Sequence, residues 1–247
     1  MGLHVIVLAA GKGTRMKSDL AKVLHLAAGK PLVSWTLDAA ASLDPDSAVV
    51  VVGHQADAVR EHVPPWVDTA LQAEQLGTGH AAEVGLSVLD AAPGDVVVVL
   101  PGDMPLVRSE TLAEVVATHL GSGAAATVLS AVVAYPTGYG RIVRSAEGLA
   151  SRIVEERDAT DAERALSEIN TSVYAFTAGT LETALARVGS VNEQGERYLT
   201  DVIGILAGDG HRVAVVVADE VEALGVNTVD QLAVISRELA RRRSESA

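Results

Sequence analysis

Cysteine is absent from the 247 residues, which excludes disulfides and thiolate metal centres and gives no hint of a secreted, cross-linked scaffold. Aromatic residues are scarce, with one phenylalanine, two tryptophans and four tyrosines, so the core must be aliphatic. Long apolar runs are missing as well. The N-terminal stretch Val5–Ala10 gives way to Gly-Lys-Gly, too short for a membrane span and without a signal-peptide cleavage pattern, which points to the cytoplasm. Positive charge is in deficit, 19 basic against 32 acidic side chains for a net charge of −13, and this speaks against nucleic acid and anionic membranes as partners. Arg241-Arg242-Arg243 is too short to reverse that balance and reads as a solvated helix end. The 7 histidines show no close metal-ligand spacing.

Against this background one segment stands out. Lys12, Lys17, Lys22 and Lys30 are the only lysines of the chain, and Arg15 falls among them. They follow an apolar run that empties into Gly11-Lys12-Gly13. A strand leading into such a loop offers bare backbone N–H groups and fixed cations to a polyphosphate. The pattern is neither a Walker A loop, which needs Gly-Lys-Ser/Thr at the end of its glycine spacing, nor a dinucleotide fingerprint, because position 16 is methionine. The alternative is an ordinary strand-to-helix turn.

Aliphatic runs alternate with helix-like stretches, the pattern of a mostly parallel sheet covered on both faces. Strands are predicted at Leu3–Ala9, Ala48–Val52, Val67–Gln72, Val96–Leu100 and Ala125–Val133, with helices at Pro31–Ser42, Gln55–His62, Thr78–Asp90 and Ser109–Leu120. After Ala134 come a turn-rich Tyr135–Gly140 segment and strands near Arg141–Arg144, Ser151–Glu155, Ile169–Phe176 and Val213–Val217. Helices are predicted at Thr180–Val188, Tyr198–Leu206 and Thr228–Arg243. One α/β domain is expected, residues 1–107 forming a nucleotide half and 108–247 a substrate half around a shared core.

Two further motifs carry chemistry. Val96–Leu100 runs into Pro101-Gly102-Asp103, placing a carboxylate at the carboxyl edge of the sheet, where open α/β sheets bind ligands. Beside a polyphosphate such a group suits Mg²⁺, a hard cation held by one or two protein oxygens plus phosphates; a turn or cap role for Asp103 is the alternative. In Gln72-Ala-Glu-Gln75-Leu-Gly77-Thr78, amides beside a glycine turn can read a base edge, although Thr78 also suits a helix N-cap. Gly140, Glu155, Asn170, Thr200 and Asn227 are recurring polar positions of the second half, either functional or simply solvated.

Together these motifs resemble the nucleotidyltransferase domain of bacterial N-acetylglucosamine-1-phosphate uridyltransferases, within the sugar nucleotidyltransferases. The segments that carry the likeness are LAAGKGTRMKSDLAKVLH, LQAEQLGTGHA, GDMPL, PTGYGRI, IVEERDAT, EINTSVYAF, ERYLTDVI and GVNTVDQL, which span nearly the whole chain. The resemblance implies a three-layer, Rossmann-like α/β fold with a mixed, mostly parallel sheet. It implies transfer from an NTP, UTP first, to a sugar 1-phosphate, N-acetylglucosamine 1-phosphate first, with release of pyrophosphate. Another NTP with another sugar or cyclitol phosphate, or a non-catalytic nucleotide-sugar-binding module, are the alternatives. Under this resemblance Ala10, Gly11 and Gly13 meet the nucleotide, and Arg15 and Lys22 meet its phosphates and act in catalysis. Gln72, Gln75, Gly77 and Thr78 surround the base, Asp103 and Asn227 hold Mg²⁺, and Gly140, Glu155, Asn170 and Thr200 line the sugar pocket. The β-helix acetyltransferase part of the bifunctional members is not expected in a chain that stops at Ala247. Pro101 and the Asn227-Thr228 pair depart from the family's pattern beside the sugar pocket.

Overall fold

The computed structural model describes residues 1–245. In chain order the elements are β1 (Leu3–Ala9), β2 (Leu26–Ala27), β3 (Lys30–Pro31), α1 (Leu32–Ala41), β4 (Ser47–Val52), α2 (Ala56–Arg60), β5 (Asp68–Leu71), α3 (Thr78–Leu86) and β6 (Val96–Pro101). There follow α4 (Ser109–Ser122), β7 (Ala126–Val132), β8 (Arg141–Arg144), β9 (Ala150–Val154), α5 (Asp161–Arg164), β10 (Glu168–Thr177), α6 (Ala178–Leu185), α7 (Asp201–Gly208), β11 (Val213–Ala218) and α8 (Val229–Glu245). Single 3₁₀ turns at Thr14–Met16, Lys22–Leu24 and Glu220–Ala223 fill the loops. No helix among the described residues is long and apolar enough to cross a membrane.

The main sheet runs β11-β7-β10-β6-β1-β4-β5, with β8 and β9 hanging from β10. Pairs β1–β4, β1–β6, β4–β5 and β7–β11 are parallel, and β10 lies antiparallel to both β6 and β7. The sheet is therefore mixed and mostly parallel. Its inner strands are apolar on both faces, as parallel strands covered on two sides must be. Ile6, Val49, Val51, Val97 and Val99 pack in one cluster with α3, α6 and α7. Their neighbours Val5, Val7, Val50, Val52, Val96 and Val98 pack in another with α1, α2 and α4. Each fully buried aliphatic side chain of this kind contributes about 1.5–3 kcal/mol. A third cluster joins Ile235 and Leu239 of α8 to Met16, Ala27, Leu32 and Leu106, so the closing helix packs against the segment that follows the glycine loop.

The strand order reverses between β1 and β6. From β1 the chain moves outward to β4 and β5, then returns to place β6 on the other side. At such a switch point the loops leaving two neighbouring parallel strands diverge and open a crevice. Here those loops are Ala10–Gly13 and Gly102-Asp103. The two strands end in step, with Leu8 opposite Pro101, and Gly102 N–H donates to the Leu8 carbonyl at 2.9 Å.

Several sequence expectations are corrected. Helix α1 begins at Leu32, with Pro31 one step earlier in the small β2–β3 ribbon. Helix α7 begins at Asp201 rather than Tyr198, and the segment before it is tied to α3, with Leu199 N–H donating to Thr78 Oγ1 at 3.0 Å. The predicted Thr78–Asp90 helix ends at Leu86. The arginine run is more than a solvated end: Arg242 donates to the Leu106 carbonyl at 2.8 Å and Arg243 to that of Ala28 at 3.2 Å, fastening α8 to the loops beneath the site. At the opposite edge of the sheet Asp95 accepts from Gly2 and Ala92 N–H groups and contacts His4 Nε2, which joins the starts of β1 and β6.

Candidate active site

A cleft of about 760 Å³ opens over the switch point. Every residue to which the resemblance gives a site role lines it: Ala10, Gly11, Gly13, Arg15, Lys22, Gln72, Gln75, Gly77, Thr78, Asp103, Gly140, Glu155, Asn170, Thr200 and Asn227. Of the four lysines only Lys12 and Lys22 line it. Lys30 belongs to the ribbon, paired with Asp38 and with its ammonium 5.2 Å from the Trp35 ring centre.

The charged centre joins three loops. Lys22 pairs with Asp103 and donates to Asn227 Oδ1 at 3.3 Å, while Arg15 donates to the same Oδ1 at 2.8 Å. Each participant is held by local structure. Lys22 starts a 3₁₀ turn whose entry, Ala21 N–H, donates to Gln55 Oε1 at 2.7 Å. Gly13 has φ +63°, and a Cβ there would collide with Lys22 Cβ, so only glycine lets the loop pass this close. Asp103 follows β6, and its carbonyl accepts from Val226 N–H at 3.1 Å. Asn227 stands before α8, where Thr228 and Gln231 form a reciprocal capping box, and Gln231 Oε1 also accepts from Asn227 N–H at 2.8 Å. The closing helix thus aims the asparagine.

On the wall between β5 and α3 Gln72 is 3% exposed, and Gln75 Nε2 donates to the Gln72 carbonyl at 3.0 Å. Gly77 has φ +110°, and a Cβ on it would lie 2.5 Å from the Arg197 carbonyl oxygen; its glycine is demanded by the chain packed against it. Thr78 is not the N-cap of α3, a position Gly77 holds. Gly11 differs from both, since it lines the cleft yet a Cβ there would meet nothing within 4 Å.

The opposite wall comes from β8, β9 and β10. Thr200 donates to Glu155 Oε1 at 3.0 Å. Burial pushes the Glu155 carboxyl above the usual carboxylate range, opposed by that hydroxyl and reinforced by Asp158, Asp201 and Glu196. Asn170 donates to Tyr174 Oη at 2.8 Å and accepts from Ser172 N–H at 3.1 Å. Burial likewise raises the Tyr174 hydroxyl, so it stays a neutral donor and acceptor. Between Asn170 and Val173 the β7 ladder slips by a bulge, and Ser172 sits at φ +64°. Bulges re-aim side chains next to sites.

Sequence reasoning missed several of these features. Ser172, Tyr139, Gln194, Glu196 and Tyr198 also line the cleft. Gly53 was not singled out, yet a Cβ there would lie 2.8 Å from the Ala10 carbonyl oxygen. Arg141, 1% exposed, clamps the far wall by donating to the Leu166 carbonyl at 3.0 Å and to that of Tyr139, and by pairing with Glu156 at 2.8 Å. A charged residue within PTGYGRI was the available signal.

Residues that could hold a divalent cation are Asp103 and Asn227. Their oxygens converge on one ammonium, that of Lys22, and a carboxylate with an amide oxygen is a hard donor pair that suits Mg²⁺ when phosphates complete the shell. Among the described residues no group of three or more His, Cys, Asp or Glu side chains forms a self-sufficient metal cage. The donor set fits a metal that arrives with a phosphate.

Residues 5–171 match the family model of the MobA-like NTP transferase domain. The chain is similar to proteins named bifunctional protein GlmU. It is 48% identical to that of Mycolicibacterium gilvum over 246 residues, covering 96% of this chain and 49% of the relative. Identity is 51% with Streptomyces avermitilis over 94% of this chain and 49% of the relative, and 49% with Geobacter metallireducens over 98% and 51%. The chain thus spans about half the length of these curated relatives. Its fold matches a crystal structure of UDP-glucose pyrophosphorylase complexed with UDP-glucose, with TM-score 0.79 and 17% identity over 98% of this chain and 100% of that one. The chain belongs to the family of MobA-like NTP transferase domains.

Proposed function

We propose that the chain transfers a nucleotidyl group from an NTP, UTP first, to a sugar 1-phosphate, N-acetylglucosamine 1-phosphate first, releasing pyrophosphate. The observation that carries this reading is the cationic pair Lys22 and Arg15 meeting the oxygens of Asp103 and Asn227 in the crevice between β1 and β6. Family membership supports nucleotidyl transfer, and the half-length match to the GlmU relatives supports a sugar phosphate as acceptor.

In this reading an oxygen of the sugar phosphate attacks the α-phosphorus in line. A new P–O bond forms as the bond from that phosphorus to the bridging oxygen of pyrophosphate breaks, and the electron pair leaves with pyrophosphate. The attacking group is already ionised, so no protein nucleophile or base is needed. The protein's work is to bring two anions together and stabilise charge that builds on the phosphoryl oxygens. Lys22 and Arg15 supply the opposing positive charge; the Ala10–Gly13 loop offers backbone N–H groups to the phosphates; Gln72, Gln75, Gly77 and Thr78 hold the base. Gly140, Glu155, Asn170 and Thr200 hold the sugar, so residues 1–107 serve the nucleotide and 108–247 chiefly the sugar. Asp103 and Asn227 would hold Mg²⁺, which supplies Lewis-acid polarisation and charge neutralisation at the phosphates.

Pyrophosphate release measured across a grid of NTPs and sugar or cyclitol 1-phosphates tests the reading. Turnover is expected to be highest with UTP and N-acetylglucosamine 1-phosphate. Nucleotide binding without pyrophosphate release from any pair would leave a binding module instead.

A further inference from the structure

Gln72 Nε2 lies 3.1 Å from the Gly77 carbonyl oxygen and 3.1 Å from His80 Nδ1. A carbonyl only accepts, so with both contacts in place the amide end that faces Gly77 is the nitrogen. The second N–H of the same amide then goes to His80. Its Nδ1 must be the bare, accepting nitrogen of the ring, with the proton on Nε2. Both donors of Gln72 are thereby consumed inside the protein. What remains for a ligand is Oε1, which only accepts.

We infer that His80 is a positioning residue that sets base preference by holding Gln72 as a pure acceptor. The base must then bring an N–H to this point. Uracil does so with its ring imide, whereas cytosine has an accepting nitrogen at the same ring position, two lone pairs face one another, and no hydrogen bond forms. The mismatch costs affinity because a buried acceptor is left unpaired. His80 itself stands on the first turn of α3, behind Gln72. The inference rests on the proposed function only in taking Gln72 to face the base.

The test compares the wild-type protein with His80→Leu and His80→Asn, measuring calorimetric affinity for UTP and for CTP beside pyrophosphate release with each. Wild type is expected to prefer UTP. His80→Leu removes one of the two contacts that fix the amide, so the side chain can swing its freed N–H towards the base, and the UTP:CTP preference is expected to fall about fivefold, the worth of one neutral hydrogen bond. His80→Asn should keep the preference, because Oδ1 can accept where Nδ1 did. A merely structural role would weaken both nucleotides equally and leave the ratio unchanged, which overturns the inference, as does a His80→Asn protein that loses preference as His80→Leu does. Nitrogen-15 NMR of the wild-type imidazoles needs no variant. His80 is expected as the neutral tautomer with Nδ1 unprotonated, and a proton on Nδ1 overturns the inference. Absence of pyrophosphate release from the wild-type protein would instead remove the proposed function first, whatever the ratio.

Discussion

Lys22 and Asp103 lie 81 positions apart by their numbers and pair across the crevice where the strand order reverses, with Asn227 Oδ1 3.3 Å from the same ammonium. The cation that should face phosphate is neutralised by the oxygens that should face metal. A divalent ion reaching Asp103 in the ligand-free protein must displace that ammonium, whereas a metal–nucleotide complex can offer Lys22 a phosphate in exchange. Lys22→Ala is therefore expected to bind free Mn²⁺ or Mg²⁺ at least about tenfold more tightly than wild type, since removing a like charge near the ion relieves several kcal/mol of repulsion at moderate dielectric. Isothermal titration with the metal alone reads this out; unchanged or weaker binding would remove the exchange.

The cleft glycines fall into two kinds, and alanine substitution separates them. At Gly77 (φ +110°) a methyl group meets the Arg197 backbone, so Gly77→Ala is expected to lose about 2 kcal/mol or more of stability from backbone strain and overlap. At Gly11 nothing lies within 4 Å, so Gly11→Ala should unfold at the wild-type denaturant midpoint while binding nucleotide at least tenfold more weakly. Equal destabilisation of both variants would contradict the distinction.

Burial of Glu155 gives the site a pH signature. Its carboxyl titrates above the usual range, first through desolvation. A folded pKa above the unfolded one means that ionising the group costs folding stability above the folded pKa. That cost is relieved as pH falls through the raised folded value towards the unfolded one. Glu155→Gln should therefore be more stable than wild type near neutral pH and lose the advantage in acid. If the carboxylate accepts sugar hydroxyls, kcat/KM for the sugar phosphate should fall in acid at a pH above ordinary carboxylates. That limb should be absent in Glu155→Gln; an unchanged limb would assign it elsewhere.

Arg141 makes a stability prediction far from the chemistry. Replacing it by leucine strands the half-buried Glu156 and the carbonyls of Tyr139 and Leu166, at a cost of about 3 kcal/mol, mostly from acceptors left without their donor. The wall bearing Tyr139 and Gly140 should loosen with it. Chemical denaturation should show a lower midpoint, and KM for the sugar phosphate should rise more than KM for the nucleotide.

The sheet and the cleft were legible where local chemistry repeats a global demand. Val96–Leu100 reads as a strand buried on both faces because it is one, and Gly11-Lys12-Gly13 lines the cleft because a turn at the end of β1 is forced to the carboxyl edge. What escaped notice depends on partners distant in sequence. The segment entering α7 is tied to Thr78, the turn of Ser172 comes with a slip against β7, and Arg242 is anchored by the Leu106 carbonyl. Lys30 looked like part of the phosphate grip because proximity in sequence stood in for proximity in space; the β2–β3 ribbon carries it to Trp35. Arg141 sits in a strand where a charged residue is ordinarily solvated, and only the fold shows the carbonyls that receive it.

The most direct test is the rate of the chemical step in a single turnover, with enzyme in excess over UTP and saturating N-acetylglucosamine 1-phosphate, for wild type, Lys22→Ala and Asp103→Ala. Loss of one charge contact at the phosphates is expected to slow that step by about a hundredfold, on the order of 3 kcal/mol, in proteins whose circular dichroism matches wild type. A chemical step within a few-fold of wild type in both variants would contradict a crevice built around Lys22 and Asp103.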